Sequence, residues 1–394
     1  MKIFLIGWFG SGNMGDEAIL ISELLFLRDH LSKAEFYILS FNPEKTRKLT
    51  ANIPEVKKIL RMGSKREVFK SDFLGIFKAF REVDVVLIGG GGIFQDIYNH
   101  YPIPFFTGMA LLARWNRKRL VLYCVGIGPI RSFIGKKLCR VAGNSADMIC
   151  VRDAGSKDLL KSLGVNRPVH LSADPVFLLE PLRNENVERV IQSHHLTGNG
   201  LTIGVNVQDL LFWKSESKKV LAETLDTLST EKRATIVFLP FGSYKDGWFN
   251  REKSSAVDMA ASKKLAELMK GEYSIINDEL TPQELLAVIE NLDLVISMRL
   301  HGLIMGLNAG VPVIALTYEE ESKIRNLMER LNQEKNLFSV NGLSYQRLLD
   351  RIEHLVFDKD DTDRQFQESV SSIRAEAERC NQLVIRALLN GSGS

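Results

Sequence analysis

Short apolar runs that end in glycine or a small polar residue alternate with helical patterns along nearly the whole chain, and this alternation restricts the fold more than any other feature. In the first half the runs fall at residues 2–7, 35–41, 84–89, 120–125, 148–151 and 169–172. Between them lie stretches of 3.6-residue periodicity, such as 18–31 with Leu20, Ile21, Leu24, Leu25 and Leu31 on one face. Repeated strand-helix alternation predicts a parallel sheet covered on both faces. A polar stretch at 183–200 interrupts the pattern, which restarts at 201–207 and continues at 235–240, 274–276, 294–297 and 312–316. An acidic segment at 358–363 then precedes an amphipathic helix at 365–389.

Two Rossmann-like α/β domains followed by a closing helix outline a GT-B-like arrangement, in which the active site occupies the cleft between domains. The boundaries read as 1–180, 181–357 and 358–390, with 391–394 an appended tail outside the fold. At 394 residues the chain is long enough for two such cores, and 45% hydrophobic with 25% charged residues excludes a disordered or fibrous class. The net charge of +3 conceals an asymmetry. Residues 1–180 carry 26 Lys and Arg against 17 Asp and Glu, whereas the remainder carries 25 against 31. A basic first half suits an anionic ligand or a membrane surface, and equally suits solvated helix faces. The four widely spaced cysteines fit a reducing cytoplasm better than a disulfide framework. Residues 1–10 are too short for an export-signal core, and the weakly polar run at 300–318 is broken by His301, Asn308, Gly310 and Pro312, so no membrane span is expected.

In open parallel sheets ligands bind beyond the C-terminal strand ends, so the loops there should carry the chemistry. The first is Gly7 to Glu17, where Gly10, Gly12, Asn13 and Gly15 precede a helix whose free N–H groups suit an anion. Asp16 at that helix start is either an N-cap or a group that touches sugar hydroxyls. The second holds four consecutive glycines, Gly89 to Gly92, followed by Gln95 and Asp96, which are expected to face the cleft. Gly126 belongs to a third loop of the same character. Arg152 follows a strand and is either half of a surface pair with Asp153 or a fork for a carboxylate or phosphate. The most informative segment ends another strand with Arg299, Leu300, His301 and Gly302, a fixed cation and a proton-transfer group on one loop.

These segments, in their order from GWFGSGNMGDEAIL through LIGGGGIFQD, VGIGP, ICVRDAGS and SADP to DLVISMRLHGLIMGLNAGVPVIAL, resemble the polysaccharide pyruvyl transferase family across the domain pair. The resemblance implies a GT-B-like fold and transfer of a pyruvyl group from phosphoenolpyruvate to two hydroxyls of one sugar, forming a cyclic ketal and releasing phosphate. It also implies donor contacts at Arg152, Arg299, Leu300 and His301. The acceptor is expected on the first domain, the donor and catalytic loop on the second. His301 suits the acid that protonates the donor methylene carbon. Asp16 and Asp96 are candidate bases, and Asp174 is a weaker one that also reads as a simple strand terminator. Gly10, Gly12, Asn13, Gly91, Gly92, Gln95 and Gly126 are expected to line the cleft or acceptor site. No metal and no cofactor are expected, phosphoenolpyruvate being the donor substrate. The acceptors of such enzymes are often lipid-diphosphate-linked saccharides, which implies a cytoplasmic protein acting at the inner face of the plasma membrane. Arg61, Lys65, Arg66 and Lys70, interleaved with Val68, Phe69, Phe73 and Leu74, read either as a membrane contact or as a solvated amphipathic helix.

Two other readings are open. A nucleotide-sugar-dependent glycosyltransferase of the same fold would need a ribose-binding carboxylate, for which 319–321 offers candidates. A non-catalytic carbohydrate-binding protein would have no need of the Arg299 and His301 pair. Nucleic-acid binding is disfavoured, since the basic excess has no matching motif.

Overall fold

The computed structural model describes all residues except 64–67, 98–99, 199, 209–212, 243–255, 319–321, 358 and 390–394. Lys65, Arg66, the carboxylates of 319–321 and the tail at 391–394 therefore lie outside the described residues.

The chain opens with β1 (Lys2–Ile6), α1 (Met14–His30), β2 (Glu35–Ser40), α2 (Pro43–Leu49) and β3 (Val56–Arg61). It continues with α3 (Phe73–Glu82), β4 (Val85–Gly89), α4 (Pro102–Trp115), β5 (Arg119–Val125), α5 (Phe133–Ser145), β6 (Met148–Val151), α6 (Ala154–Ser162) and β7 (Val169–Leu171). These strands form one parallel sheet in the order β3-β2-β1-β4-β5-β6-β7. After α7 (Glu185–Ser193) come β8 (Thr202–Asn206), α8 (Ser215–Glu231), β9 (Thr235–Phe238), α9 (Ala256–Ala266), β10 (Tyr273–Ile275) and α10 (Pro282–Ile289). Then follow β11 (Leu294–Ser297), α11 (Leu300–Asn308), β12 (Val313–Thr317), α12 (Ser322–Arg330), β13 (Leu337–Ser339), α13 (Tyr345–Phe357) and α14 (Lys359–Leu389). The second sheet is also parallel, in the order β10-β9-β8-β11-β12-β13.

The central strands are buried on both faces, which is why they read as continuous apolar runs. Two edge strands escape that signal. In β3, Lys57 and Lys58 interrupt the apolar pattern, and β13 is three residues long. Each sheet reverses its winding once, between β1 and β4 in the first and between β8 and β11 in the second. A ligand crevice opens at such a switch point, because the loops leaving the two strands diverge to opposite faces.

One continuous apolar cluster joins the units, with members from α1, α7, α10, α11 and α14. The main chain also crosses between them: Met14 N–H donates to the Phe241 carbonyl at 3.1 Å, and Asn13 pairs with Gly242 in an antiparallel bridge. The closing helix α14 returns to the first sheet. The Tyr123 hydroxyl donates to Asn381 Oδ1 at 2.6 Å, and Arg119 Nη1 donates to the carbonyls of Ala387 and Leu388 at 2.8 and 2.7 Å. Among the described residues no helix is long and apolar enough to cross a membrane.

Candidate functional site between the two sheets

The loops at the two switch points face each other, and the charged side chains they carry converge. Asn13, rather than Asp16, caps α1, its Oδ1 accepting from Gly15 N–H at 3.2 Å. Its Nδ2 donates to Asp16 Oδ2 at 2.8 Å, so the cap orients the carboxylate instead of competing with it. Burial raises the Asp16 pKa, offset in part by His301, the Asn13 bond, Arg152 and Arg299. Glu17, next to it, is pushed up to about 8 by burial and by Asp16, against the amides of Gly12 and Gly10 that hold it.

His301 is the second residue of α11, and Arg299 is the N-cap position of that helix. The His301 ring lies against the first turn of α1: a Cβ at Gly15 would stand 2.0 Å from its Nδ1. Its Nε2 is 3.4 Å from Asp174 Oδ2. The same Asp174 oxygen accepts from Arg152 Nη1 at 2.7 Å, and both side chains are buried. Asp174 Oδ1 accepts from Val176 N–H and so starts the 3-10 turn Pro175–Leu178. Burial alone would raise this carboxyl, but His301 and Arg152 outweigh it and hold it well below the usual carboxylate range.

Glycines make room for these groups. A Cβ at Gly126 would lie 2.8 Å from Arg152 Nε, one at Gly91 3.0 Å from Asp16 Oδ1, and one at Gly92 2.4 Å from Lys323 Nζ. Lys323, from α12, thus reaches across to the glycine run of the first sheet, where Arg152 Nη2 also points. Arg299 is set by a two-bond fork to buried Asp258 of α9, Nε and Nη2 to the two carboxylate oxygens at 2.6 and 2.7 Å. A small cavity next to the cluster is lined by Arg152, Asp174, Leu300, Ile304, Lys323 and Asn326.

Asp16, Arg152, Arg299, Leu300, His301, Asn13, Gly91, Gly92 and Gly126 are therefore brought together from both sheets, Arg152 coming from the first unit and Arg299 from the second. Asp96, Gly10 and Asp153 are engaged elsewhere. Asp96 does not face this cluster: its oxygens accept from the N–H groups of Arg131 and Ser132 and from the Ser132 hydroxyl. Those bonds outweigh burial and lower its pKa, which suits an anchor for the loop before α5 rather than a base. Gly10 turns toward β2, where a Cβ would strike Ser40 Oγ at 2.2 Å, and Gly12 holds Glu17. Gln95 is buried with its Oε1 unpartnered. Asp153 pairs with neither side of the cleft; it caps α6, accepting from Ser156 N–H at 2.7 Å. Lys323 and Asp258 carried no local signal, since neither ends a strand or sits in a glycine loop.

Two facing parallel sheets with a charged cleft at their switch points define a GT-B-like two-domain protein. Solved structures of that class superpose over the full length. They include the Anabaena protein Alr3699/HepE in complex with UDP and glucose, at 15% identity and TM-score 0.62 over 99% of this chain and 100% of that one. The UDP-GlcNAc 2-epimerase of Methanocaldococcus jannaschii gives 14% identity and TM-score 0.65 with the same coverage. Residues 13–320 match the family model "Polysaccharide pyruvyl transferase", and the chain belongs to that family. It is also 21% identical to the amylovoran biosynthesis protein AmsJ of Erwinia amylovora, over 98% of this chain and 100% of the relative.

Proposed function

We propose that this protein moves the pyruvyl group of phosphoenolpyruvate onto two hydroxyls of one sugar in a cell-surface polysaccharide precursor, forming a cyclic ketal and releasing phosphate. The observation that carries the reading is the buried trio of His301, Asp174 and Arg152, flanked by Arg299, Lys323 and Asp16. The donor has a carboxylate and a phosphate. Arg152 and Lys323 line one cavity and Arg299 stands close enough to act on Asp16, and charge-assisted bonds of this kind are worth about 1.5–3 kcal/mol each.

Chemistry follows from the placement of His301. Its ring, oriented by Asp174, delivers a proton to the methylene carbon, which leaves C2 electron-poor and open to attack by a sugar hydroxyl. Asp16 takes the proton of that hydroxyl; a carboxyl raised by burial is a stronger base than an exposed one once ionised. The second hydroxyl then displaces phosphate, which leaves with its bonding pair, and the ketal closes. Of the two hydroxyl protons lost, one replaces that given by His301 and the other leaves with phosphate. A lipid-diphosphate-linked saccharide at the inner face of a membrane is the acceptor class that suits this reading.

Phosphate release from phosphoenolpyruvate, followed with a panel of lipid-linked and nucleotide-linked sugars, tests the proposal. His301→Ala should lose turnover by about 10²-fold or more while the donor still raises the melting temperature. Arg152→Lys keeps a charge beside Asp174 but loses the fork, and should weaken donor binding about tenfold. Near-normal turnover in His301→Ala would sink the catalytic assignment. A melting-temperature rise with a nucleotide sugar and none with phosphoenolpyruvate would sink the donor.

A further inference from the structure

The helices α3, α4 and α5 lie side by side over β1, β4, β5 and β6, and their inner faces share one apolar cluster. Inward they bury Ile76 and Phe80, Phe106 and Ala110, Cys139 and Ala142. Their outer faces are the unusual feature. On them Leu74 is 86% exposed, Trp115 81%, Phe133 70% and Ile134 69%, and Phe69, in the 3-10 turn Val68–Lys70 just before α3, is 74% exposed. Ten of the sixteen large apolar side chains exposed among the described residues fall between Val68 and Val141, in under a fifth of the chain. Scattered surface apolar residues need no explanation, but this concentration does.

Charge accompanies it. Residues 97–146, which span α4 and α5, contain eight Lys and Arg and no Asp or Glu; Arg119 turns to α14 and Arg114 pairs with Asp147, which leaves six others. Lys137 Nζ stands 4.4 Å from the centre of the Phe133 ring, over its face, so an ammonium and an exposed aromatic are held together on this surface. We propose that the outer face of α3, α4 and α5 docks on an anionic lipid bilayer, with Phe69, Leu74, Phe133 and Ile134 entering the interface and the basic side chains meeting the headgroups. A second copy of the chain is a poor occupant, because a two-fold contact would set two faces with a basic excess against each other. A bilayer of negative headgroups instead complements both the sign and the apolar content of the face.

The orientation has a consequence for the cleft. Crossover helices run antiparallel to the strands, so the N-terminal turns of α3 and α5 lie at the C-terminal strand edge, the edge that carries Asp16 and Arg152. Docking by Phe69, Leu74, Phe133 and Ile134 brings the cleft mouth toward the membrane surface. The docking surface includes no group of the candidate site and stands whether or not phosphoenolpyruvate is the donor.

Co-sedimentation with vesicles tests it, using phosphatidylcholine alone and phosphatidylcholine with about one third phosphatidylglycerol. The full chain should pellet with the anionic vesicles only, and 0.5 M NaCl should weaken association tenfold or more. Phe133→Ser with Ile134→Ser, and separately Lys136→Glu with Lys137→Glu, should each lower binding at least tenfold. Leu268→Ser, an exposed apolar position outside the face, should change nothing. The variants must keep the parent melting temperature and their phosphate release with a water-soluble acceptor, which separates loss of docking from loss of the reaction. Absence of association with anionic vesicles, binding by both paired variants at the parent level, or a concentration-dependent dimer that Phe133→Ser with Ile134→Ser abolishes would overturn the proposal.

Discussion

Asp174 Oδ2 accepts from Arg152 on one side and faces His301 on the other, so one buried oxygen stands between the guanidinium and the imidazole of the candidate site. Its importance was hard to read from Ser-Ala-Asp-Pro alone, because an aspartate before proline at a strand end is also an ordinary turn residue. His301, Arg299, Arg152 and Asp16 were legible, since each leaves a buried strand or opens the helix after one. Lys323 and Asp258 were not, because only the meeting of the two sheets gives them partners. Asp96 misled for the opposite reason: the N–H groups that occupy it lie 35 and 36 residues further along. Glu23 is a different case, a fully buried carboxyl whose two oxygens have no hydrogen-bond partner. Burial, reinforced by Asp174, raises its pKa well above the ordinary value, so the fold favours its neutral form. Below about pH 4.3 it is neutral in both the folded and the unfolded chain. Above that the unfolded chain releases a proton that the fold retains, and stability falls as pH rises toward the folded pKa. Glu23→Gln removes the ionisation available to the unfolded chain. It should therefore melt about 1–3 °C higher than the parent at pH 8, with the gain gone near pH 4. A difference independent of pH would show that Glu23 ionises in the fold.

At the scale of elements, the first turns of α1 and α11 meet across the cleft, and the contact works because Gly15 has no side chain. The strand-helix alternation and the glycine loops were visible in the sequence; the reason for individual glycines was not, since each is explained by a group from a distant element. Gly15 does not have a left-handed φ, so alanine fits the backbone there and is the better helix former by about 1 kcal/mol. The obstacle is His301, whose ring atoms lie 2.0 to 2.8 Å from where the new carbon would stand. Gly15→Ala should fold and yet lose tenfold or more of its phosphate release as the imidazole is pushed from Asp174. Gly108→Ala, in the middle of α4 with no neighbour within 4 Å, supplies the control and should keep full activity with equal or greater stability. Comparable activity in the two variants, with circular dichroism unchanged, would remove His301 packing from the account.

On the scale of the whole molecule, α14 follows the second sheet in sequence and returns to pack on the first, while Arg374 and Glu376 hold it to Asn308 and Arg330 of the second unit. Its amphipathic pattern was plain; which surface it covers was not, because periodicity gives a face and never its partner. Phe366, Val370, Ile373, Val384, Ile385 and Leu388 are all buried. At about 1.5–3 kcal/mol for each such side chain, their removal from water together rivals the roughly 5–15 kcal/mol by which a typical folded protein is stable. The same apolar cluster includes α1, α10 and α11, so the two sheets are joined through a shared core rather than by a polar linker. Loss at α14 should accordingly be felt by both. Ile373→Ala is expected to cost about 2–4 kcal/mol. Asn381→Ala should cost about 1–3 kcal/mol, since it strands the buried Tyr123 hydroxyl. In each variant calorimetry should give one transition, shifted downward as a unit. Two separated transitions, with only the lower one moved, would mean that the sheets unfold independently and that α14 stabilises the first alone.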